Sequence, residues 1–243
     1  MQDPIEISVV VPAYQEENRI GLTVEQLSLY LEQYYPQSEL IVVLDGCTDG
    51  TAEAARKNFK GSACRLRVID LPVNRGKGNA VKEGMLAASG TYSFFTDADL
   101  SFAPELIGKF LQYLKNNADI AISQREKSVT YSQGGRRFLA VVSRAIIGNV
   151  VLPGIRDTQA GFKGFKSSAA KILFGELKTP GYLFDLDVLL RARRKGFRIE
   201  KVYVEWIDRP GSKVRVWKDA FNAAGDLLRI SVREILARVG IGG

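Results

Sequence analysis

The chain is 243 residues long, 46% hydrophobic and 25% charged, which suits one large α/β domain, with or without an appendage, and excludes a disordered or low-complexity chain. Its net charge of +7 favours an anionic partner without choosing among phosphate, nucleic acid and lipid headgroups. With no histidine and only Cys47 and Cys64, it offers neither imidazole catalysis nor a disulfide scaffold, so any chemistry falls to carboxylates, lysine, arginine, hydroxyls or a bound metal.

The N-terminal MQDPIEISVVVP lacks a basic stretch followed by an apolar core, so no signal peptide is expected there. The longest apolar candidate for a membrane span, Leu139–Ile155, is interrupted by Arg144 and Asn149. Ile5–Val11 reads as a first strand stopped by Pro12, and Asn18–Tyr35 as a helix with Ile20, Val24, Leu27 and Leu31 on one face. Leu40–Leu44 is a short buried strand, after which Asp49 or Thr51 caps a helix running to Phe59. Leu66–Leu71 and Thr91–Thr96 are further strands, separated by a helix over Lys77–Ala88. Pro104 opens a helix that continues through Leu106, Phe110, Leu111 and Leu114, and Asp119–Ser123 is a fifth strand. This β/α alternation predicts a mostly parallel sheet flanked by helices.

After residue 125 the pattern changes. Arg136–Leu152 is helical with a basic start, and Asp157–Gly164 is a Gly-rich turn. Helices near Ser167–Phe174 and Phe184–Lys195 follow, then a strand at Ile199–Val204. Trp217–Val239 is an amphipathic C-terminal helix suited to a membrane interface or a subunit contact. The expected division is a catalytic domain over 1–215 and a C-terminal helical segment over 216–243. Within the catalytic domain, 1–125 forms a nucleotide-binding half and 126–215 an acceptor half.

Candidate chemistry gathers at successive strand ends, where open α/β sheets bind ligands. In Phe94–Leu100 an apolar strand runs into Asp97 and Asp99, which on extended chain point to one side. Two converging carboxylates repel unless a cation lies between them, and a divalent ion that also takes diphosphate oxygens meets that need. A turn or helix cap uses Asp as readily, so the tripeptide alone is a weak signal. Asp45, closing the second strand before Gly46, is suited to accept hydrogen bonds from a base or ribose, and equally to a plain turn. In Asn74-Arg75-Gly76-Lys77-Gly78, the glycines let backbone approach a phosphate and Lys77 brings charge to a helix N-terminus. The segment lacks the P-loop pattern, which disfavours ATP hydrolysis.

Taken together, Val9-Val10-Val11-Pro12-Ala13-Tyr14-Gln15-Glu16, the Asp45-Gly46 turn, Arg75-Gly76-Lys77-Gly78 and Asp97-Ala98-Asp99 resemble the family 2 glycosyltransferases of GT-A fold. In the second half, Arg156-Asp157-Thr158-Gln159-Ala160-Gly161-Phe162-Lys163 resembles a segment of the dolichyl- and polyprenyl-phosphate glycosyltransferases. Phe184-Asp185-Leu186-Asp187, Val204-Glu205-Trp206 and Gly211-Ser212-Lys213 are most similar to the β-glucosyltransferase branch. The resemblance implies Pro12, Tyr14, Glu16, Asp45 and Gly46 around the nucleoside, and Asp97, Ala98 and Asp99 at the metal and diphosphate. It implies Gln159 with Asp185 or Asp187 near the transferred sugar. Leu44 and Gln15 depart from the pattern, where relatives usually carry Asp and Asn.

A sugar-hydroxyl acceptor needs a base, whereas a phosphomonoester, with a second pKa of about 6, is already mostly dianionic at neutral pH. It needs cations instead, and Arg125, Arg136, Arg137 and Arg144 are the candidates, Arg137 first. The expected reaction is a single inverting displacement with Mg²⁺ or Mn²⁺ and Lys77 on the leaving diphosphate, and Asp185 or Asp187 orienting the sugar. UDP-glucose is the expected donor, with GDP-mannose the runner-up. A saccharide acceptor with Asp187 or Asp185 as base, a nucleic-acid binder and a silent sugar-nucleotide sensor are the competing readings, the nucleic-acid binder disfavoured because no basic-aromatic motif appears. The expected setting is the cytoplasmic face of a membrane, held peripherally, with a second copy or a membrane protein as further partner.

Overall fold

The computed structural model describes residues 4–125, 152, 154, 155 and 157–205 of the chain. The helix expected over Arg136–Leu152, apart from Leu152 itself, the amphipathic segment Trp217–Val239, Gly211-Ser212-Lys213 and the domain boundary at 215 lie outside the described residues, and with them Arg136, Arg137 and Arg144.

The described elements are β1 Ile7–Ala13, α1 Ile20–Tyr34, β2 Ser38–Asp45, α2 Thr51–Asn58, β3 Arg65–Leu71, α3 Lys77–Ala87, β4 Tyr92–Phe95 and α4 Leu106–Lys115. They continue with β5 Ile120–Arg125, β6 Lys163–Lys166, α5 Ser167–Gly175, α6 Phe184–Arg194 and β7 Ile199–Val204. The seven strands form one sheet in the order β3-β2-β1-β4-β6-β5-β7. All neighbours run parallel except β6, which is antiparallel to both β4 and β5. The predicted α/β class with a mostly parallel sheet flanked by helices is therefore what the chain forms.

Every residue of β1 and β2 is buried, as expected of strands covered on both faces. Alternation then divides the core. Val9, Val11, Leu40 and Val42 face Val24, Leu27 and Leu31 of α1 and Phe110 of α4. Val10, Ile41, Val43 and Phe95 face Val81 and Met85 of α3, Leu173 of α5 and Leu189 of α6. The result is helix, sheet, helix in three layers.

Pro12 does not stop β1, which continues to Ala13. Thr96 N donates to Val10 O at 3.0 Å, so Val10 faces β4, and Pro12, two residues on, faces the same way. There β4 has ended at Phe95, and the missing N–H of Pro12 leaves no ladder bond unmade. The Gly-rich stretch 157–164 is also not only a turn, because Lys163 and Gly164 open β6. Four residues, Lys-Gly-Phe-Lys, carry too little apolar alternation to read as a strand, and pairing on both sides supplies what local pattern lacks.

Register brings the ends of β1, β2 and β4 to one edge, since Ala13 pairs with Leu44 and Val10 with Phe95. The opposite end of the sheet holds a buried carboxylate. Glu39 Oε1 accepts from Ser8 Oγ and Ser89 N, both at 2.7 Å, and Oε2 from Arg67 Nη1 at 2.9 Å. Burial pushes the Glu39 carboxyl up, but Arg67, Ser8 and Ser89 together hold it below the usual range. A depressed folded pKa stabilises above the unfolded value and loses that contribution as pH falls through the folded one. Glu39→Gln is expected to cost about 1–3 kcal/mol at neutral pH and to flatten the loss of stability below pH ~4. Urea unfolding at both pH values checks this, and equal wild-type and variant stability at neutral pH would show the network to be idle.

Candidate active site

The loops at that shared edge are tied to one another by their own side chains. After β1, Gln15 adopts φ 55°, a left-handed backbone that is costly for a non-glycine residue. Its amide donates to Thr48 Oγ1 at 2.8 Å and accepts from Thr48 N at 2.9 Å, which fastens the β1 loop to the β2 loop. Glu16 N donates to Thr51 Oγ1 at 2.8 Å, and the Glu16 carboxylate pairs with Arg19 Nε and Nη2, each at 2.7 Å. Tyr14, between these anchors, is exposed.

Asp45 is buried at the end of β2, where Oδ1 accepts from Arg75 N at 2.9 Å and Oδ2 from Gly76 N at 2.8 Å. The carboxylate thus shapes the Arg75–Gly78 loop. Any base or ribose contact would use its remaining lone pairs. The glycines of that loop face the chain itself. A Cβ on Gly76, at φ +99°, would sit 2.7 Å from Pro180 O, and one on Gly78 would sit 2.6 Å from Thr179 O. Asn79 N completes the seam by donating to Pro180 O at 3.2 Å. The glycines expected to admit a phosphate therefore seat the segment 179–181 against the N-terminus of α3.

Asp97 and Asp99 do not converge by strand alternation. The chain leaves the sheet after Phe95 and turns through Ala98 and Asp99, with Leu100 at φ 53°. Ala98 O is held by Thr23 Oγ1 at 2.8 Å, and Asp99 Oδ1 accepts from Ser101 N at 3.1 Å and Ser101 Oγ at 2.7 Å. Asp97 pairs with Lys77 Nζ at 2.5 Å. Burial lowers the Lys77 pKa, but Asp97 and Asp185 outweigh it and the net direction is upward. Gly161 abuts Asp97 so closely that a Cβ there would lie 2.6 Å from its carboxyl carbon.

Of the two acids on α6, the structure separates the roles. Asp187 is clamped by Thr179 Oγ1 at 2.8 Å and Arg191 Nε at 2.6 Å. Asp185 instead stands in the field of Lys77 and Asp97, and its Oδ1 lies 2.6 Å from Lys163 Nζ. Burial pushes the Asp185 carboxyl up more than Lys163 and Lys77 pull it down. Lys163 is 1% exposed, with its ammonium also on Ala160 O at 2.7 Å and 5.2 Å from the centre of the Phe95 ring. Gln159 is exposed beside Tyr182, whose carbonyl accepts from Nε2 at 3.5 Å. Arg125, at the end of β5, makes a fork on Asp157 through Nε at 2.5 Å and Nη2 at 3.0 Å. The guanidinium expected at an acceptor phosphate is thus committed at least in part to Asp157.

Sequence reading missed two cations of this edge. Lys163 stood only in a resemblance, because a lone lysine in a Gly-rich stretch gives no sign of burial. Arg19 sat in a helix start, yet its guanidinium is held protonated by Glu16 first and by Asp99 and Asp97 beyond it. Its Nη1 is buried without a hydrogen-bond partner among the described residues.

The donor set suits a shared metal. Among the described residues no cluster of three or more His, Cys, Asp or Glu exists to cage an ion. Mg²⁺ or Mn²⁺ held jointly with substrate phosphates needs few protein carboxylates, and Asp97 and Asp99 would be those, Asp97 once Lys77 is drawn off it.

A family model described as Glycosyl transferase family 2 matches residues 8–174. Dolichyl-phosphate beta-glucosyltransferase of Saccharomyces cerevisiae is 32% identical over 96% of this chain and 76% of the relative. The proteins of the same name from Drosophila melanogaster and Homo sapiens are 33% and 32% identical, over 96% and 94% of this chain and 76% and 75% of their own lengths. Glucosyl-3-phosphoglycerate synthase from Mycobacterium tuberculosis, solved with Mn²⁺, uridine diphosphate and phosphoglyceric acid, matches with a TM-score of 0.69 at 22% identity, over 98% of this chain and 80% of that one. A second structure of that synthase, with a TM-score of 0.69 at 23% identity over 98% of this chain and 80% of that one, holds Mg²⁺ and uridine diphosphate. These structural likenesses show the GT-A fold.

Proposed function

This chain belongs to glycosyl transferase family 2, and from that premise we propose that it transfers glucose from UDP-glucose to a polyprenyl or dolichyl phosphate, inverting the anomeric carbon. The names of the relatives support the donor sugar and the lipid acceptor. The observation that carries the acceptor class is the state of the two α6 carboxylates. Asp187 is taken up by Thr179 and Arg191, and Asp185 is ion-paired with a buried lysine. Neither is placed as a general base, and a phosphate acceptor requires none.

In this reading Lys77, beside Asp97, binds the diphosphate and balances the charge that develops on it. Asp97 and Asp99 would hold a divalent cation, which when bound supplies electrostatic stabilisation of the leaving group. Asp185 orients hydroxyls of the transferred sugar. An acceptor phosphate oxygen forms its bond to the anomeric carbon as the bond from that carbon to the diphosphate oxygen breaks. The nucleoside diphosphate departs with the electron pair, and no proton changes hands. The acceptor locates the reaction at a membrane surface, and we propose a peripheral protein on its cytoplasmic face. No helix among the described residues is long and apolar enough to cross a membrane.

The test offers radiolabelled UDP-glucose and GDP-mannose, with Mg²⁺ or Mn²⁺, to a polyprenyl phosphate in detergent. Labelled lipid from UDP-glucose is the expected product. Label from GDP-mannose alone would replace the donor, and label reaching only soluble saccharides would replace the acceptor.

A further inference from the structure

Resting on the reading that this site takes a nucleoside diphosphate and a divalent cation, we infer that Lys77 is an interlock: the same ammonium occupies Asp97 until the diphosphate draws it away, so that cation and nucleotide each favour the other's binding.

The charges at the site argue for this. Among the described residues, the carboxylates of Glu16, Asp97, Asp99 and Asp185 are interleaved with three cations, Arg19, Lys77 and Lys163. Lys77 Nζ touches Asp97 at 2.5 Å and feels Asp185 as well, while Asp185 is fastened by Lys163 at 2.6 Å. Lys163, 1% exposed and also bound to Ala160 O, has no freedom to leave. Lys77 is the member a ligand can reach, since its side chain is 24% exposed where that of Lys163 is 1% exposed.

A divalent cation arriving alone at Asp97 must displace an ammonium already paired with it. A diphosphate arriving alone must pull Lys77 from Asp97 and leave that carboxylate facing new negative charge. Arriving together, the cation takes over Asp97 as Lys77 moves to the phosphate, and two positive charges enter with the two negative ones of a sugar diphosphate. The cost that joint binding avoids, relative to the two ligands binding separately, is the coupling free energy, and linkage makes it reciprocal.

The experiment measures Mn²⁺ binding by electron paramagnetic resonance, with and without saturating UDP, in wild type, Lys77→Met, Lys77→Arg and Arg19→Met. In wild type UDP should tighten Mn²⁺ binding on the order of tenfold or more. In Lys77→Met, Mn²⁺ alone should bind more tightly than to wild type and the enhancement by UDP should fall several-fold. Lys77→Arg should keep most of the enhancement. Arg19→Met is the control: it removes a cation that Asp97 and Asp99 feel without contact, so Mn²⁺ affinity shifts while the enhancement stays. An enhancement equal in wild type and Lys77→Met overturns the interlock. Failure of wild type to bind UDP with Mn²⁺ at all overturns instead the functional reading on which it rests.

Discussion

Asp99→Ala is expected to lower the rate of sugar transfer by about 10³-fold while leaving the unfolding midpoint within a degree or two of wild type. The asymmetry follows from where the carboxylate stands. Asp99 is half-buried beyond the end of β4, and its hydrogen bonds go to Ser101, two residues on. Nothing in the three-layer core depends on it. Its loss removes one of two carboxylates that would hold the cation at the diphosphate, an interaction whose value grows as the leaving group gains charge. Transfer assays beside thermal melts separate the two effects. A variant that keeps a tenth or more of the wild-type rate would show that Asp99 is a turn residue only.

Lys163→Met is expected to destabilise the protein by about 3–5 kcal/mol, because it strands Asp185 as an uncompensated charge in the interior. The pair is almost fully buried, with side-chain exposures of 1% and 4%. Such pairs gain little over apolar residues of similar size, so Lys163→Met combined with Asp185→Leu should recover most of the lost stability. Activity should not return with it, since the proposed sugar-orienting carboxylate is then gone. Urea unfolding of both variants, with transfer rates measured on the double variant, provides the check. A double variant as active as wild type would make the pair purely structural.

These predictions differ in how visible their residues were beforehand. Asp97-Ala98-Asp99 was legible only in company, because alone it suits a turn as well and Asp45 and Arg75–Gly78 at neighbouring strand ends made it a site; among the described residues the expected strands and helices match the observed ones to within a few residues. The β1 and β2 runs need no context, since a strand covered on both faces is written in consecutive apolar residues. Lys163 and Asp185 gave no such signal, and Asp185 could not be told from Asp187 by spacing. Residues two apart on a helix point in different directions, and which of them meets the site depends on how α6 is rotated against the sheet.

Hydrophobic periodicity and strand-end placement thus determined from the sequence alone that the chain folds as an α/β layer structure and carries its acids at the strand ends. Only the tertiary structure decided the pairings. Lys77 meets Asp97, Gly161 presses on Asp97, and Lys163 reaches Asp185 because β6 is inserted antiparallel between β4 and β5, carrying residues 157–163 to the mouth of the site. Contacts between segments far apart in the chain are set by strand order, which no local pattern of side chains encodes.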